Sequence, residues 1–230
     1  MQEGIEEDRC EGVTLRSLDY KERQRIITVF TEKKGLISLI VKGMSKKNPH
    51  LLSLTSPFCR AEFLYKKKRS DLFSFQDGTI LDPHLSLRNE WRYLQAAGQL
   101  CQLLLQSQLP GKPAPAIYSL FCSYLKRVVE FEDPAALIAS FQLKLLRVEG
   151  LIAFSGRCAH CGSENARYLQ RGETSCPLHA TSETLFLSDL EWGLFQELLL
   201  VRSFENLKTM RLPSLLSEKI SRLFEERIQG

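Results

Sequence analysis

Two short spacings of metal-ligand type occur in this chain, Cys158-Ala-His-Cys161 and Cys176-Pro-Leu-His179, with fourteen residues between Cys161 and Cys176. A two-residue interval in a tight turn aims both side chains at one point. Two such turns facing each other complete the four bonds of a tetrahedral zinc ion. Gly162, directly after the second thiol, can take the left-handed conformation that wraps the backbone around a metal. The expected ligands are therefore Cys158, Cys161, Cys176 and His179, holding a structural Zn2+. His160 lies between the first two cysteines and could replace His179, although the spacing favours His179.

Other chemistries use the same residue types. A metal-free Cys158/Cys161 redox pair belongs at a strand-to-helix junction, which the local pattern lacks. A catalytic zinc usually leaves one position to water with a general base close by, whereas this tract offers four soft or borderline ligands and only Glu164 and Glu173 as carboxylates. A structural ion would instead hold a long loop too poor in apolar residues to pack by itself.

The remaining cysteines, Cys10, Cys59, Cys101 and Cys122, are scattered among apolar neighbours, and the total of seven is odd. That distribution fits a reducing compartment with one metal site, not a disulfide framework. Cys101 and Cys122 fall on apolar helical stripes and read as small buried hydrophobes.

The second chemical feature is charge. The net charge of +4 is unevenly spread, because residues 12–70 hold 14 Lys and Arg against four acids, while residues 81–230 hold 16 of each sign. A polyanionic partner should meet the amino-terminal part. Three basic clusters stand there: Arg16, Lys21, Arg23 and Arg25; then Lys42, Lys46 and Lys47; then Lys66, Lys67, Lys68 and Arg69. Any one of them could be a solvated loop. Three in one small segment favour nucleic acid, with the cations on a barrel rim where a phosphate backbone can be followed. Tyr20 and Tyr65 are the candidates for base stacking, and the phenylalanines are the default core. Nothing reads an individual base, so binding should show little sequence preference and strong salt dependence.

The elements that must position these groups change character along the chain. Short runs rich in Val, Ile, Phe and Thr predict five strands: 13–18, 25–31, 36–42, 58–65 and 72–76, with Ser70-Asp71 as a tight hairpin. That count suits an OB-fold or an SH3-like barrel, and periodicity does not separate them. After Pro83 the apolar period changes from two to about three and a half. One helical stripe carries Trp91, Leu94, Cys101, Leu104 and Leu105, and a second carries Ile117, Leu120, Phe121, Tyr124, Leu125 and Val128. Asp133-Pro134 should open a third helix, running through Phe141, Leu145 and Val148 to Gly150. Ser188 and Glu191 have capping-box spacing for a fourth, with Leu190, Leu194, Phe195 and Leu198, and Pro213 should open the last. The expected fold is α+β: a five-stranded barrel over residues 1–80, then an all-α domain over 81–230 with a zinc-ribbon-like insertion at 155–187. Met1 to Glu11 is acidic and the apolar runs are short, so neither a signal peptide nor a membrane span is expected.

Several landmarks resemble one family. Val13-Thr-Leu-Arg16, Asp19-Tyr20, the run from Ile26 to Glu32 ending at Gly35, Val41-Lys-Gly43 and Ser56-Pro-Phe58 are similar to the start of RecO proteins. Phe141-Gln-Leu-Lys-Leu-Leu146, Gly150 and Cys158-x-x-Cys161-Gly resemble the helix and metal tract of its zinc-containing members. The resemblance implies an N-terminal OB-fold, a helical domain and a zinc-binding insertion. It also implies a cytoplasmic, nucleoid-associated recombination mediator. Such a protein binds single- and double-stranded DNA, anneals complementary strands, and acts with RecR to help load RecA onto DNA coated by single-stranded-DNA-binding protein (SSB).

No bond is made or broken in that exchange, so the chain is expected not to be an enzyme. The family pattern usually has Cys where His179 stands. It also docks the acidic SSB tail on the helical domain; Ala139 and Ser140 occupy positions that are basic in some relatives, leaving Lys126, Arg127, Lys144 and Arg147 as candidate substitutes. Two other classes remain open: a zinc-dependent nucleic-acid-modifying enzyme, and a zinc-ribbon adaptor for RNA or protein.

Overall fold

The computed structural model describes residues 7–67, 72–181 and 184–229. Its contacts divide the chain into two compact units, residues 1–129 and 130–230.

In the first unit, β1 (Glu7–Asp19), β2 (Gln24–Thr31), β3 (Gly35–Lys42), β4 (Arg60–Lys66) and β5 (Leu72–Asp82) close a barrel in the order β1-β2-β3-β5-β4. All pairs are antiparallel except β3 with β5, which run parallel from Ser38↔Leu72 to Ile40↔Ser74. This strand order resolves the choice left open by periodicity in favour of the OB-like barrel. β1 can serve two neighbours because it bends at a bulge between Thr14 and Arg16: its first half pairs with β4 and its second with β2. Ile27, Val29, Ile37, Leu39, Val41, Ala61 and Phe63 alternate inward and form the core.

A short helix that the strand reading missed, α1 (Pro49–Leu54), lies between β3 and β4. Asn48 caps it by accepting from the Leu51 amide at 3.1 Å, and Pro49 takes the first turn. Its last residue, Leu54, is fully buried in the barrel core. The Ser70-Asp71 hairpin lies outside the described residues.

Helices α2 (Trp91–Ser107) and α3 (Pro115–Arg127) belong to the same unit. Phe30 of β2 packs against Tyr118 and Phe121 of α3, with ring centroids 5.8 and 6.3 Å apart. The second predicted stripe is buried along its length apart from half-buried Leu120. The first needs correction, since Trp91 is 77% exposed. It is the first residue of α2, and the buried face is carried by Ala96, Ala97, Leu100, Cys101, Leu103 and Leu104.

In the second unit, α4 (Ala135–Val148) is surrounded by α5 (Asp189–Leu200), α6 (Phe204–Thr209) and α7 (Ser214–Gln229). Asp133 accepts from the Ala135 amide at 2.9 Å at the start of α4. Polar side chains fasten this helix to its neighbours: the Ser140 hydroxyl donates to the Leu198 carbonyl at 2.7 Å and the Gln142 amide to the Ser221 hydroxyl at 3.3 Å. Both capping-box hydrogen bonds of Ser188 and Glu191 are present. Val148 and Leu190, expected along the third and fourth helices, are exposed. Each sits in a terminal turn of its helix. Between α4 and α5 runs a small sheet, β7-β6-β8, of β6 (Tyr168–Gln170), β7 (Glu173–Ser175) and β8 (Leu185–Phe186). Among the described residues, no helix is long and apolar enough to cross a membrane.

Candidate metal centre and nucleic-acid interface

The two predicted turns face each other. In the first, the Gly162 amide donates to the Cys158 carbonyl at 2.9 Å, and Gly162 takes φ +72°. In the second, the His179 amide donates to the Cys176 carbonyl at 3.0 Å. The Ala159 amide, reaching the Thr174 carbonyl at 2.9 Å, holds one turn against the other. The Thr174 hydroxyl donates to the Arg157 carbonyl and adds a second tie. Sequence reasoning passed over Thr174; its one signal is a position next but one before Cys176 on a short alternating strand. Four residues before Cys158, Phe154 packs against Trp192 and Phe195 of α5 with centroids 5.0 and 5.8 Å away.

One ligand atom from each of Cys158, Cys161, Cys176 and His179 lies within 4.8 Å of the other three. A tetrahedron with metal–sulfur bonds of about 2.3 Å and a metal–nitrogen bond of about 2.0 Å has edges of about 3.8 Å between sulfurs and about 3.5 Å from sulfur to nitrogen. The Cys161–Cys176 sulfurs are 3.8 Å apart, and His179 Nδ1 lies 3.6 Å from Cys158 Sγ and 3.3 Å from Cys176 Sγ. The four residues therefore fit a tetrahedral divalent ion. His160 is not in the cluster and stacks on His179, with centroids 5.2 Å apart.

The cluster favours the anionic, metal-binding form at Cys158 and Cys176, whereas at Cys161 the Ser163 amide is outweighed by burial and the neighbouring Cys158 and Cys176 thiols, which push the thiol up. Burial pushes the Cys158 thiol up, but the backbone amides of Cys176, Cys161 and His160 outweigh it and bring it down to about 6. The His179 imidazole holds Cys176 below the ordinary thiol range. With four protein ligands the tetrahedron is complete. Glu164, one of the two nearby carboxylates, is engaged by Arg157 at 2.9 Å.

The basic residues fall into two places. The β1–β2 loop and the segment after β3 meet at one rim, because Gln24 faces Lys42 across the ladder and the Met44 amide donates to the Arg23 carbonyl at 3.0 Å. That rim brings together Lys21, Arg23, Lys42, Lys46 and Lys47, with Arg16 projecting from β1 beside it. None of these six has an ion pair among the described residues. Arg25 differs, since its guanidinium grips Asp19 at 2.9 Å and donates to Thr55 at 3.2 Å. Lys66 and Lys67 lie at the other end of β1, against Glu7 at 3.2 Å and Asp8 at 4.0 Å. Lys68 and Arg69 lie outside the described residues.

Of the two stacking candidates, Tyr20 is 52% exposed with the Lys21 ammonium 5.4 Å from its ring. Tyr65 is a correction: it is 1% exposed and lies flat against Phe73 in the barrel core. The four residues suggested for an acidic tail divide between the units, Lys126 and Arg127 in the first, Lys144 and Arg147 in the second. The Lys144 ammonium donates to the Val201 carbonyl at 2.6 Å, and burial lowers its pKa, with Arg147 adding to the effect.

A closed five-stranded barrel of this strand order, with a cationic loop rim and a Cys3His cluster on turns between α4 and α5, defines an OB-barrel protein with an accessory site fit for a metal. The family models described as Recombination protein O N terminal and Recombination protein O C terminal match residues 5–84 and 88–228. The chain belongs to the RecO family of DNA-repair proteins.

It is 27% identical over 207 residues to the DNA repair protein RecO of Chlamydia muridarum, covering 88% of each chain. The match to the Chlamydia pneumoniae protein of that name is 27% over 217 residues, 93% of this chain and 86% of the relative. The Bacillus subtilis protein is 29% identical over 160 residues, which are 70% of this chain and 62% of the relative, so less than two thirds of that protein is spanned.

Proposed function

We propose that the protein acts in recombinational repair as a DNA-binding mediator without catalytic chemistry of its own. It binds single- and double-stranded DNA through the barrel rim, anneals complementary strands, and with RecR assists RecA loading onto SSB-coated DNA. The observation that carries this reading is the group Lys21, Arg23, Lys42, Lys46 and Lys47 at one end of the barrel, with Arg16 on β1 beside it, none of which has an ion pair among the described residues. Cations free of carboxylate partners keep their full attraction for phosphates and release counterions when they bind.

Lys66 and Lys67, with Lys68 and Arg69 following in sequence, are a second candidate contact at the β4–β5 connection, where OB-folds also meet oligonucleotides and where Glu7 and Asp8 must give up Lys66 and Lys67 to phosphate. Arg25 supports the rim by fixing Asp19. The Cys3His site holds zinc in a structural role. Arg147 and Lys144 of the second unit are the candidates to meet the acidic SSB tail, and the protein works in the cytoplasm at the nucleoid.

Annealing of complementary strands already coated with SSB, with and without the protein and without nucleotide fuel, tests the reading. Faster duplex formation is expected. Strand cleavage, base release, or annealing at the unassisted rate would overturn it.

A further inference from the structure

A cavity of about 250 Å³ opens beside the metal cluster, walled by His160, Gln170, Arg171, Glu173, Thr174 and Ser175. The hairpin of β6 and β7 builds most of it. Gln170 pairs with Glu173, leaving Arg171-Gly172 as a two-residue turn with φ +50° and +85°. Gly172 is required there, since a Cβ would stand 2.2 Å from the Leu151 carbonyl oxygen.

Three observations mark the cavity as a site. Ser175 is 2% exposed, and its hydroxyl has no hydrogen-bond partner among the described residues, a costly state for a buried polar group unless a guest satisfies it. Arg171 and Glu173, opposite charges on one wall, pair neither with each other nor with any other described residue. His160 presents an exposed ring, backed by the His179 ring 5.2 Å behind it.

This inventory selects the guest. A bare phosphate calls for donors alone, and the Glu173 carboxylate opposes it. A guest that answers both charges must carry acceptor and donors on one edge, and must be flat to lie on an imidazole. The space is smaller than the roughly 300–1,000 Å³ of pockets for drug-sized ligands. An unpaired nucleobase meets these conditions, and guanine meets them best, with O6 for the guanidinium and N1–H and N2–H for the carboxylate.

We propose that the cavity takes one unpaired guanine of single-stranded DNA. Arg171 donates to O6, Glu173 accepts from the two N–H groups, Ser175 engages a remaining polar atom of the base, and His160 stacks on the ring. The inference rests on the DNA-binding reading above, which supplies the strand.

Fluorescence anisotropy on the metal-replete full chain compares a short thymidine homopolymer with the same strand carrying one central guanosine or one central adenosine. Guanosine should tighten binding about tenfold over either. Glu173→Gln and Arg171→Gly should each remove that gain and leave the homopolymer affinity unchanged. The second variant suits a left-handed backbone and protects the turn. Equal affinity for all three strands, or variants that weaken every strand alike, would overturn the proposal.

If the homopolymer itself does not bind, the DNA reading fails instead. Titration of guanosine while the His160 ring resonances are followed by NMR then tests the cavity alone, and an unshifted spectrum sinks it.

Discussion

Glu191 accepts two hydrogen bonds from the Lys219 ammonium, at 2.7 and 2.8 Å, and so ties the first turn of α5 to α7. The same carboxylate accepts from the Ser188 amide at 2.9 Å. Burial raises the Glu191 pKa, but Lys219 and Ser188 together outweigh it and hold the carboxyl below its ordinary value of 4.5. A carboxyl depressed in the folded state contributes stability that is complete above its unfolded pKa and lost as pH falls through the folded one. The contribution should be whole at neutral pH and decline below 4.5. Glu191→Gln should cost about 2 kcal/mol at neutral pH and lose much less in acid, as measured by urea unfolding at both. An unchanged midpoint at neutral pH would remove the pair from the account of stability.

Metal removal should act locally. Cys158, Ala166 and Cys176 form a small buried cluster of their own, with too little apolar surface to hold their loops without an ion. Chelation, or Cys176→Ser, should speed amide exchange across residues 158–179, while β1 to β5 keep their protection. Hydrogen exchange followed by mass spectrometry reads both regions at once, and identical rates with and without chelator would show the ion to be dispensable for folding.

The barrel rim makes an electrostatic prediction. Reversing Lys46 and Lys47 to Glu should weaken DNA binding for every sequence alike and lower the slope of log affinity against log salt by at least about two. Arg25→Glu should in addition destabilise the fold, because it breaks the contacts to Asp19 and Thr55. Salt titrations separate the effects. Undiminished affinity in the double variant would remove this rim from the interface.

The parts of this architecture that announce themselves locally were legible in the residues. Alternating β-branched runs located all five strands to within a few residues, except that β1 and β5 extend further, and the Cys and His spacing located the cluster. Ser188 and Glu191 formed the hydrogen bonds their spacing suggested. What failed depended on tertiary placement. Tyr65 and Tyr20 look alike as residue types, and only the inward alternation of β4 buries one of them. Trp91 matches the helical stripe but precedes the part of α2 that is covered. The cap of α1 was readable in Asn48-Pro49 and was overlooked because the helix is so short. Parallel pairing of β3 with β5, which distinguishes the barrel type, leaves no mark on either strand.

The change from strand to helix near residue 83 suggests a seam, yet the ring of Phe30 points out of the barrel onto Tyr118 and Phe121, and the Gly111 amide closes on the Leu36 carbonyl at 3.1 Å. A fragment cut at that apparent seam would carry an oily scar where α3 had been. The barrel is thus not a detachable cassette, and whatever grips its loops pulls on two helices as well.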